Sequence, residues 1–306
     1  MSFNIAIVVL NWNQAKLTTD TLNSLLKVKP NSSFKWHIFV VDNASTDGSL
    51  STLKKTFSQS KKVTFLKSSQ NLGYTGGNNL GIKAALKKNF SHILIANNDI
   101  LVKNDFLAQL VSVAKLQPQS VLAPKIYFAP GFEYHRHYQK KDLGKVIWAM
   151  GGKFDWQNIY GSNIGIDEVD RGQYDQADFD IDFISGCCFL APTILFKKIG
   201  LLDDRFYLYL EDVDFTHRAK LAGYQLLVAP KSVIWHLNSG SSKPGSDIQE
   251  YFITRNRLLF AQKFASTRTK LALFRESLKF LFSPSYWRRQ GVIDFYLQRF
   301  GRGSWQ

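Results

Sequence analysis

Three apolar runs in this chain stop on acid: Ile38-Phe-Val-Val-Asp42, Ile93-Leu-Ile-Ala-Asn-Asn-Asp99 and Tyr207-Leu-Tyr-Leu-Glu211-Asp212. The first two are short and continuously apolar, which is how a strand reads when both faces of a parallel sheet are covered. Strands of one such sheet share a carboxyl edge, so Asp42 and Asp99 should emerge together where open α/β folds bind ligands. Acids there, in a chain of 306 residues with formal net charge +15, point to a bound cation or a cationic transition state in phosphate-friendly surroundings.

The rest of the first half supports that sheet. Strands are expected at 5–10, 38–41, 63–66, 93–96 and 121–123. Between them lie a helix carrying Leu17, Leu22, Leu25 and Leu26 and helices at 50–57, 78–88 and 106–116. This alternation is the pattern of a sheet with helices on both faces. Residues 130–182, rich in Gly, Asp, Tyr and Trp, read as loops and hairpins. Beyond them come a strand at 187–191, a short helix opened by Pro192, a helix at 212–221 stopped by Gly223, and strands at 225–228 and 233–235. A flexible Gly/Ser stretch at 238–246 and a long helix at 249–264 lead into a basic tail.

With 45% hydrophobic and 14% aromatic residues, the chain is globular. Cys187 and Cys188 are neighbours, a poor geometry for a disulfide, and read as free thiols in a reducing compartment. The first ten residues lack a basic leader and meet polar Asn11 too early for a signal peptide, and no run is long enough to span a bilayer. A pI near 9.7 calls for an anionic partner, of which nucleic acid, lipid surface and phosphorylated small molecules compete. Nine basic residues stand against two acidic ones between Lys263 and Arg302. Within that stretch Leu271, Phe274, Leu278 and Leu281 share one helical side flanked by Arg268, Arg275 and Lys279, the pattern of a helix lying on anionic lipid or docking on its own domain. That clustering, and the lack of a recognition motif, argue against nucleic acid.

The strand ends carry the candidate chemistry. Asp42 suits the N–H of a nucleobase or the hydroxyls of a ribose, whereas Asp47 reads as a helix cap. Asn71-Leu-Gly73-Tyr-Thr-Gly76-Gly77-Asn78-Asn79-Leu-Gly81 offers either backbone N–H groups to a diphosphate or ordinary turn glycines. Asn97-Asn98-Asp99 is a turn or an oxygen ligand for Mg²⁺ or Mn²⁺, and His236, closing Val233-Ile-Trp-His236, would favour Mn²⁺. Glu211-Asp212 either complements a helix dipole or, set against apolar surface, supplies a general base. Arg255 could fork onto a phosphate, while Arg257 reads as solvated helix face.

Taken in order, Asn11-Trp-Asn13, Val41-Asp-Asn-Ala-Ser-Thr-Asp-Gly48, Asn71-Leu-Gly73 with Gly76-Gly77-Asn78-Asn79, Asn97-Asn-Asp99, Ser185-Gly-Cys-Cys-Phe-Leu190 and Glu211-Asp-Val-Asp214 resemble glycosyltransferase family 2. The likeness runs from about Ile5 to Phe260, with a fainter echo in Gly291 to Gly303, and is greatest to the branch of bacterial rhamnosyltransferases and galactofuranosyltransferases. It implies an α/β GT-A (Rossmann-like) fold, a mostly parallel sheet flanked by helices with a helical C-terminal extension. Residues 1–265 would form the transferase domain, with a nucleotide-binding half at 1–125 and an acceptor and catalytic half at 126–265, and 266–306 the tail. The resemblance further implies a nucleotide-diphosphate sugar donor, of which dTDP-rhamnose is the branch's suggestion, a divalent metal (Mn²⁺ or Mg²⁺) and inversion at the anomeric carbon. Asn11, Asp42, Asn71, Gly73, Asn78, Asn98 and Arg255 would bind the donor, Asp42 at the base and Asn98 at the ribose. Asp99 would hold the metal, with His236 a further metal ligand or a phosphate contact, and Asp212 would be the base with Glu211 beside it. Where many members place two acids around the metal, this chain has Asn97-Asn98-Asp99. The acceptor would be a saccharide or a polyprenyl-diphosphate-linked one in cell-surface polysaccharide synthesis, met in the cytoplasm at the inner face of the membrane. Two alternatives stay open, a noncatalytic sugar-nucleotide-binding module and, less favoured, a nucleic-acid binder. A nucleotidyltransferase would need a Gly-rich Arg/Lys signature where this chain reads Asn11-Trp-Asn-Gln14.

Overall fold

In the computed structural model of the chain, residues 2–133, 135–175, 180–237 and 245–305 are described. Most of the Gly/Ser stretch expected at 238–246 therefore lies outside the described residues. The elements run β1 (Phe3–Asn11), α1 (Ala15–Leu26), β2 (Phe34–Asp42), α2 (Ser49–Thr56), β3 (Val63–Lys67), α3 (Gly73–Leu86), β4 (His92–Ala96), β5 (Ile100–Val102), α4 (Phe106–Leu116) and β6 (Ser120–Phe128). Then follow β7 (Ile147–Ala149), β8 (Gly152–Asp155), β9 (Tyr160–Asn163), β10 (Cys188–Pro192), α5 (Thr193–Ile199), α6 (Glu211–Leu221), β11 (Gln225–His236), α7 (Asp247–Phe264), α8 (Thr267–Phe280) and α9 (Tyr286–Tyr296).

A nine-stranded sheet in the order β3-β2-β1-β4-β10-β6-β11-β5, with β7 on β6, divides two apolar layers. Successive residues of β1 alternate between them. Ile5, Ile7 and Val9 meet Leu22, Leu25, Leu53 and Leu110 of α1, α2 and α4 on one side, whereas Ala6 and Val8 meet Ile82, Phe196 and Phe215 of α3, α5 and α6 on the other. This double burial explains why these strands read as unbroken apolar runs. A third cluster around Phe206, Leu259, Phe260 and Val292 joins α7 and α9 to the sheet domain.

The expected parallel pairing holds from β3 through β4 and between β6 and β11. By contrast, β10 is antiparallel to both β4 and β6, and β5 and β7 are antiparallel to their partners. The two strands expected at 225–228 and 233–235 form one strand, β11, with an irregularity between Ala229 and Val233. Helix α3 begins at Gly73, not Asn78, so the glycine-rich segment is helix. A methyl group at Gly77 would overlap Leu10 and one at Gly81 would overlap Val8, so these glycines let α3 lie directly on β1. No described helix is long and apolar enough to cross a membrane.

Candidate active site

Register places the strand ends. Asn11 pairs with Asp42 and Val9 with Ala96, so β1, β2 and β4 end together and release Asn97-Asn98-Asp99 at one edge. Because β10 runs antiparallel, with Cys188 opposite Ala96, its entry segment Ser185-Gly186-Cys187 reaches the same edge. His236, at the end of β11, pairs with Ile100 and so comes beside Asp99.

Two cavities open there and share Leu10, Gln14, Tyr74, Asn98 and Leu208, making one cleft with two chemically different ends. The first, about 210 Å³, combines the amides of Asn43, Asn71 and Asn98 with Trp12, Tyr207 and Trp305. The second, about 290 Å³, holds Asp99, His236, Glu211 and Asp212, with Trp148 and Ser185 alongside.

At the charged end, Asp212 accepts N–H bonds from Gly186 to Oδ2 and from Val213 to Oδ1, each 2.8 Å. Glu211 Oε2 is buried and has no hydrogen-bond partner among the described residues. Burial, and then the neighbouring Asp212 charge, hold the Glu211 carboxyl well above the usual range. Burial also raises Asp212, but its two amide bonds pull the other way. The pair is thereby ranked, with Glu211 raised further than Asp212, so Asp212 is the carboxylate that ionises first.

Asp99 Oδ1 and His236 Nε2 lie 3.2 Å apart, and both residues are buried. His236 Nδ1 has no hydrogen-bond partner among the described residues, and no cluster of three or more His, Cys, Asp or Glu suited to a metal occurs among them. This pair fits a divalent cation that takes few protein ligands and fills its shell with water and phosphate oxygens.

The segment before α6 is held in an unusual shape. Tyr207, Tyr209 and Leu210 have φ of 64°, 70° and 68°, a left-handed conformation that costs bulky residues energy and persists only where the surroundings impose it. Asn256 Nδ2 donates to the carbonyls of Phe206, Leu208 and Tyr209 at 2.7–2.9 Å, and Arg255 Nη2 to those of Arg205 and Phe206 at 3.1 and 2.9 Å. From the other side, Tyr74 and Thr75 donate their N–H groups to the Tyr207 carbonyl. Gly73, at φ +69°, makes room: a Cβ there would lie 2.5 Å from the Tyr207 ring.

The cleft thus gathers Asn71, Gly73, Asn98, Asp99, Glu211, Asp212 and His236 among the expected residues. The other four are placed differently. Arg255 is fully buried with its guanidinium on backbone carbonyls, so it is a clamp on the 205–210 segment and has no phosphate-facing surface. Asn78 is buried and donates to the Tyr74 carbonyl within its own helix. Asn11 and Asp42 are fully buried behind the cleft. Asn11 Nδ2 donates to Asp42 Oδ1, Thr18 Oγ1 donates to Asn11 Oδ1, and Asn98 Nδ2 donates to Thr18 Oγ1, a polar chain that backs the wall. Asn43, Trp12, Gln14, Tyr74 and Trp305 were not expected as lining residues. Asn43 stands in the Asp42 motif and Trp12 in Asn11-Trp-Asn13, but nothing in the sequence near Trp305 signals a cleft.

The model of the family described as glycosyl transferase family 2 matches residues 6–189. The low-salt glycan biosynthesis hexosyltransferase Agl10 of Haloferax volcanii is 24% identical over 71% of this chain and 62% of its own length. The N-acetylglucosaminyl-diphospho-decaprenol L-rhamnosyltransferase of Mycobacterium tuberculosis is 24% identical over 67% of each chain. The matched region thus spans about three fifths to two thirds of these relatives. Among solved structures, a mannosyltransferase from Pyrobaculum calidifontis in complex with GDP-Man and Mn²⁺ superposes with a TM-score of 0.56 over 97% of this chain and 75% of the other at 15% identity. GalNAc-T7 with UDP, GalNAc and Mn²⁺ gives 0.69 over 97% and 56%, also at 15% identity, so the GT-A fold is common to all three. With the family model covering more than half of its residues, this chain belongs to glycosyl transferase family 2.

Proposed function

We propose that the chain moves a sugar from a nucleoside-diphosphate sugar to an acceptor hydroxyl, inverting the anomeric carbon. The observation that carries this is the two-ended cleft: amides and aromatic rings at one end match a nucleobase and ribose, and a carboxylate pair with an Asp–His pair at the other matches diphosphate and reacting carbon. Asp212, fixed by two backbone N–H groups, takes the acceptor hydroxyl proton as that oxygen forms its bond to the anomeric carbon. The bond from that carbon to the diphosphate breaks, and its electron pair leaves with the phosphate oxygen. Glu211, protonated beside it, keeps a second negative charge away from the base. Asp99 and His236 would hold Mn²⁺ or Mg²⁺, which supplies positive charge against the departing diphosphate.

The name of the mycobacterial relative, an L-rhamnosyltransferase acting on N-acetylglucosaminyl-diphospho-decaprenol, supports a finer reading with a rhamnosyl donor, for which we take dTDP-rhamnose, and a polyprenyl-diphosphate-linked saccharide as acceptor. Such an acceptor sits in a membrane, and α8 suits that place. Its Thr269, Leu273 and Ser277 face the domain, while Leu271, Phe274, Leu278 and Leu281 point outward at 37–49% exposure among exposed Arg268, Lys270, Arg275 and Lys279. On this reading the chain works as a peripheral protein on the cytoplasmic face.

A panel of nucleotide sugars, with and without Mn²⁺, read by thermal shift and by nucleoside diphosphate release, tests the assignment. One donor is expected to raise the melting temperature and to turn over only with acceptor and metal. Binding without turnover on any acceptor would favour the noncatalytic module, and binding of none would remove the reading.

A further inference from the structure

We infer that Trp305 is a ligand-contacting residue of the cleft, the aromatic wall against which the nucleobase of the donor lies. The inference rests on the proposed function and adds to it a residue from the far end of the chain. After α9 the backbone turns back. Gly301 donates its N–H to the Arg205 carbonyl at 2.9 Å and accepts from Arg255 Nη1 at 2.6 Å. Ser304 N donates to buried Asp294 Oδ2 at 2.8 Å and Ser304 Oγ to Asp294 Oδ1 at 3.0 Å, while Tyr251 O–H donates to Asp294 Oδ2 at 2.5 Å. The 301–305 segment is thus tied by several polar contacts, and Arg255 fastens it to the same 205–210 segment that carries Tyr207 and Leu208 into the cleft.

The result is an indole packed on Trp287 at 4.4 Å between ring centroids and on Tyr251 at 6.0 Å, while it also lines the amide-rich cavity. The polar side chains lining that end, the amides of Gln14, Asn43, Asn71 and Asn98 with Tyr74 and Tyr207, carry no charge, and buried Asn43 spends its amide on Asn71, Leu72 and Gly73, so Gln14, Asn71 and Asn98 are the amides that can meet a ligand. Amides offer paired donors and acceptors to the edge of a heterocycle but no charge for a diphosphate, and a ring wall offers its face to the plane of that heterocycle. The charged groups lie at the other end, so the base belongs here.

Calorimetry of the full chain with UDP, GDP, dTDP and pyrophosphate, in Mn²⁺, tests this on the wild type, Trp305→Phe and Trp305→Leu. Leucine keeps apolar packing and removes stacking, so Trp305→Leu is expected to weaken the preferred nucleoside diphosphate about tenfold while Trp305→Phe stays within about threefold. Pyrophosphate, having no base, should bind all three alike. Equal nucleotide affinity in all three proteins would overturn the role of Trp305 and leave the donor reading intact. Parallel losses of nucleotide and pyrophosphate in both variants would make Trp305 a packing residue only. A wild type that binds none of the three nucleotides would overturn the donor reading and this inference with it.

Discussion

Two adjacent carboxylates at a buried helix start cannot both ionise cheaply, and hydrogen bonding decides between Glu211 and Asp212. Asp212→Asn keeps the size, removes the proposed proton acceptor and turns its NH2 toward one of the two backbone N–H groups, so kcat is expected to fall by about 10² to 10⁴, with some loss of stability and donor affinity nearly unchanged, measured by product formation, melting and calorimetry. Because Asp212 is raised, the acid limb of the wild-type rate profile should lie above the ordinary aspartate range. Glu211→Gln behaves differently. A carboxyl whose folded pKa is raised favours the fold at low pH, and that contribution is lost as pH climbs through the elevated value. The variant should therefore melt above the wild type at pH 8 and lose that advantage at pH 5. These residues were legible because acids directly after apolar runs are conspicuous. Asp42 was equally conspicuous, and its bond from Ser45 N is local, but its other oxygen is taken by Asn11 Nδ2 from β1, 31 residues away, which no local pattern records. Arg255 was misplaced for the same reason: its ligands are carbonyls some fifty residues away.

At the scale of elements, the strand-helix rhythm and both apolar layers could be read from periodicity, whereas strand direction could not. An apolar strand looks the same forwards and backwards, so β10 gave no sign that it runs antiparallel and thereby brings Gly186 to Asp212. The 205–210 segment was equally opaque, since nothing in an aromatic run marks three of its residues as left-handed. Its shape is imposed from α7. Asn256→Ala would take their donor from the carbonyls of Leu208 and Tyr209 and leave that of Phe206 with Arg255 Nη2, in a protein interior where an unmet polar group costs about 1–3 kcal/mol. We expect Asn256→Ala to lose about 2 kcal/mol in urea unfolding and to lower kcat more than it raises donor KM, because the displaced segment leads directly into Asp212. A stability loss with unchanged kcat would confine Asn256 to packing.

For the whole molecule, the tail joins two surfaces. One stripe of α8 meets the domain, α9 is fastened to α7 through Arg288–Glu250 and Tyr251–Asp294, and the chain end reaches the cleft. Removing the tail would therefore disturb the cleft as well as any lipid contact, so point changes on the outer stripe are the cleaner probe. The exposed apolar face continues past α8 to Phe282, which is 91% exposed. Apolar area of this size with cations at its margins gains free energy at an anionic interface from both burial and charge, each basic residue near the surface contributing about 1 kcal/mol. Phe274→Glu with Leu278→Glu should lower binding to phosphatidylglycerol-containing vesicles by at least about tenfold, since it removes apolar contact and adds repulsion. Both side chains are 43–46% exposed, Phe274 meeting the Tyr296 ring of α9 edge-on at 6.4 Å between centroids, so the melting temperature should fall little and turnover on a water-soluble acceptor should stay at the wild-type value. Wild-type binding should also weaken as salt rises, whereas a face buried in a second copy of the chain would show concentration-dependent association without vesicles. Unchanged vesicle binding in the double variant would exclude this stripe as the lipid contact.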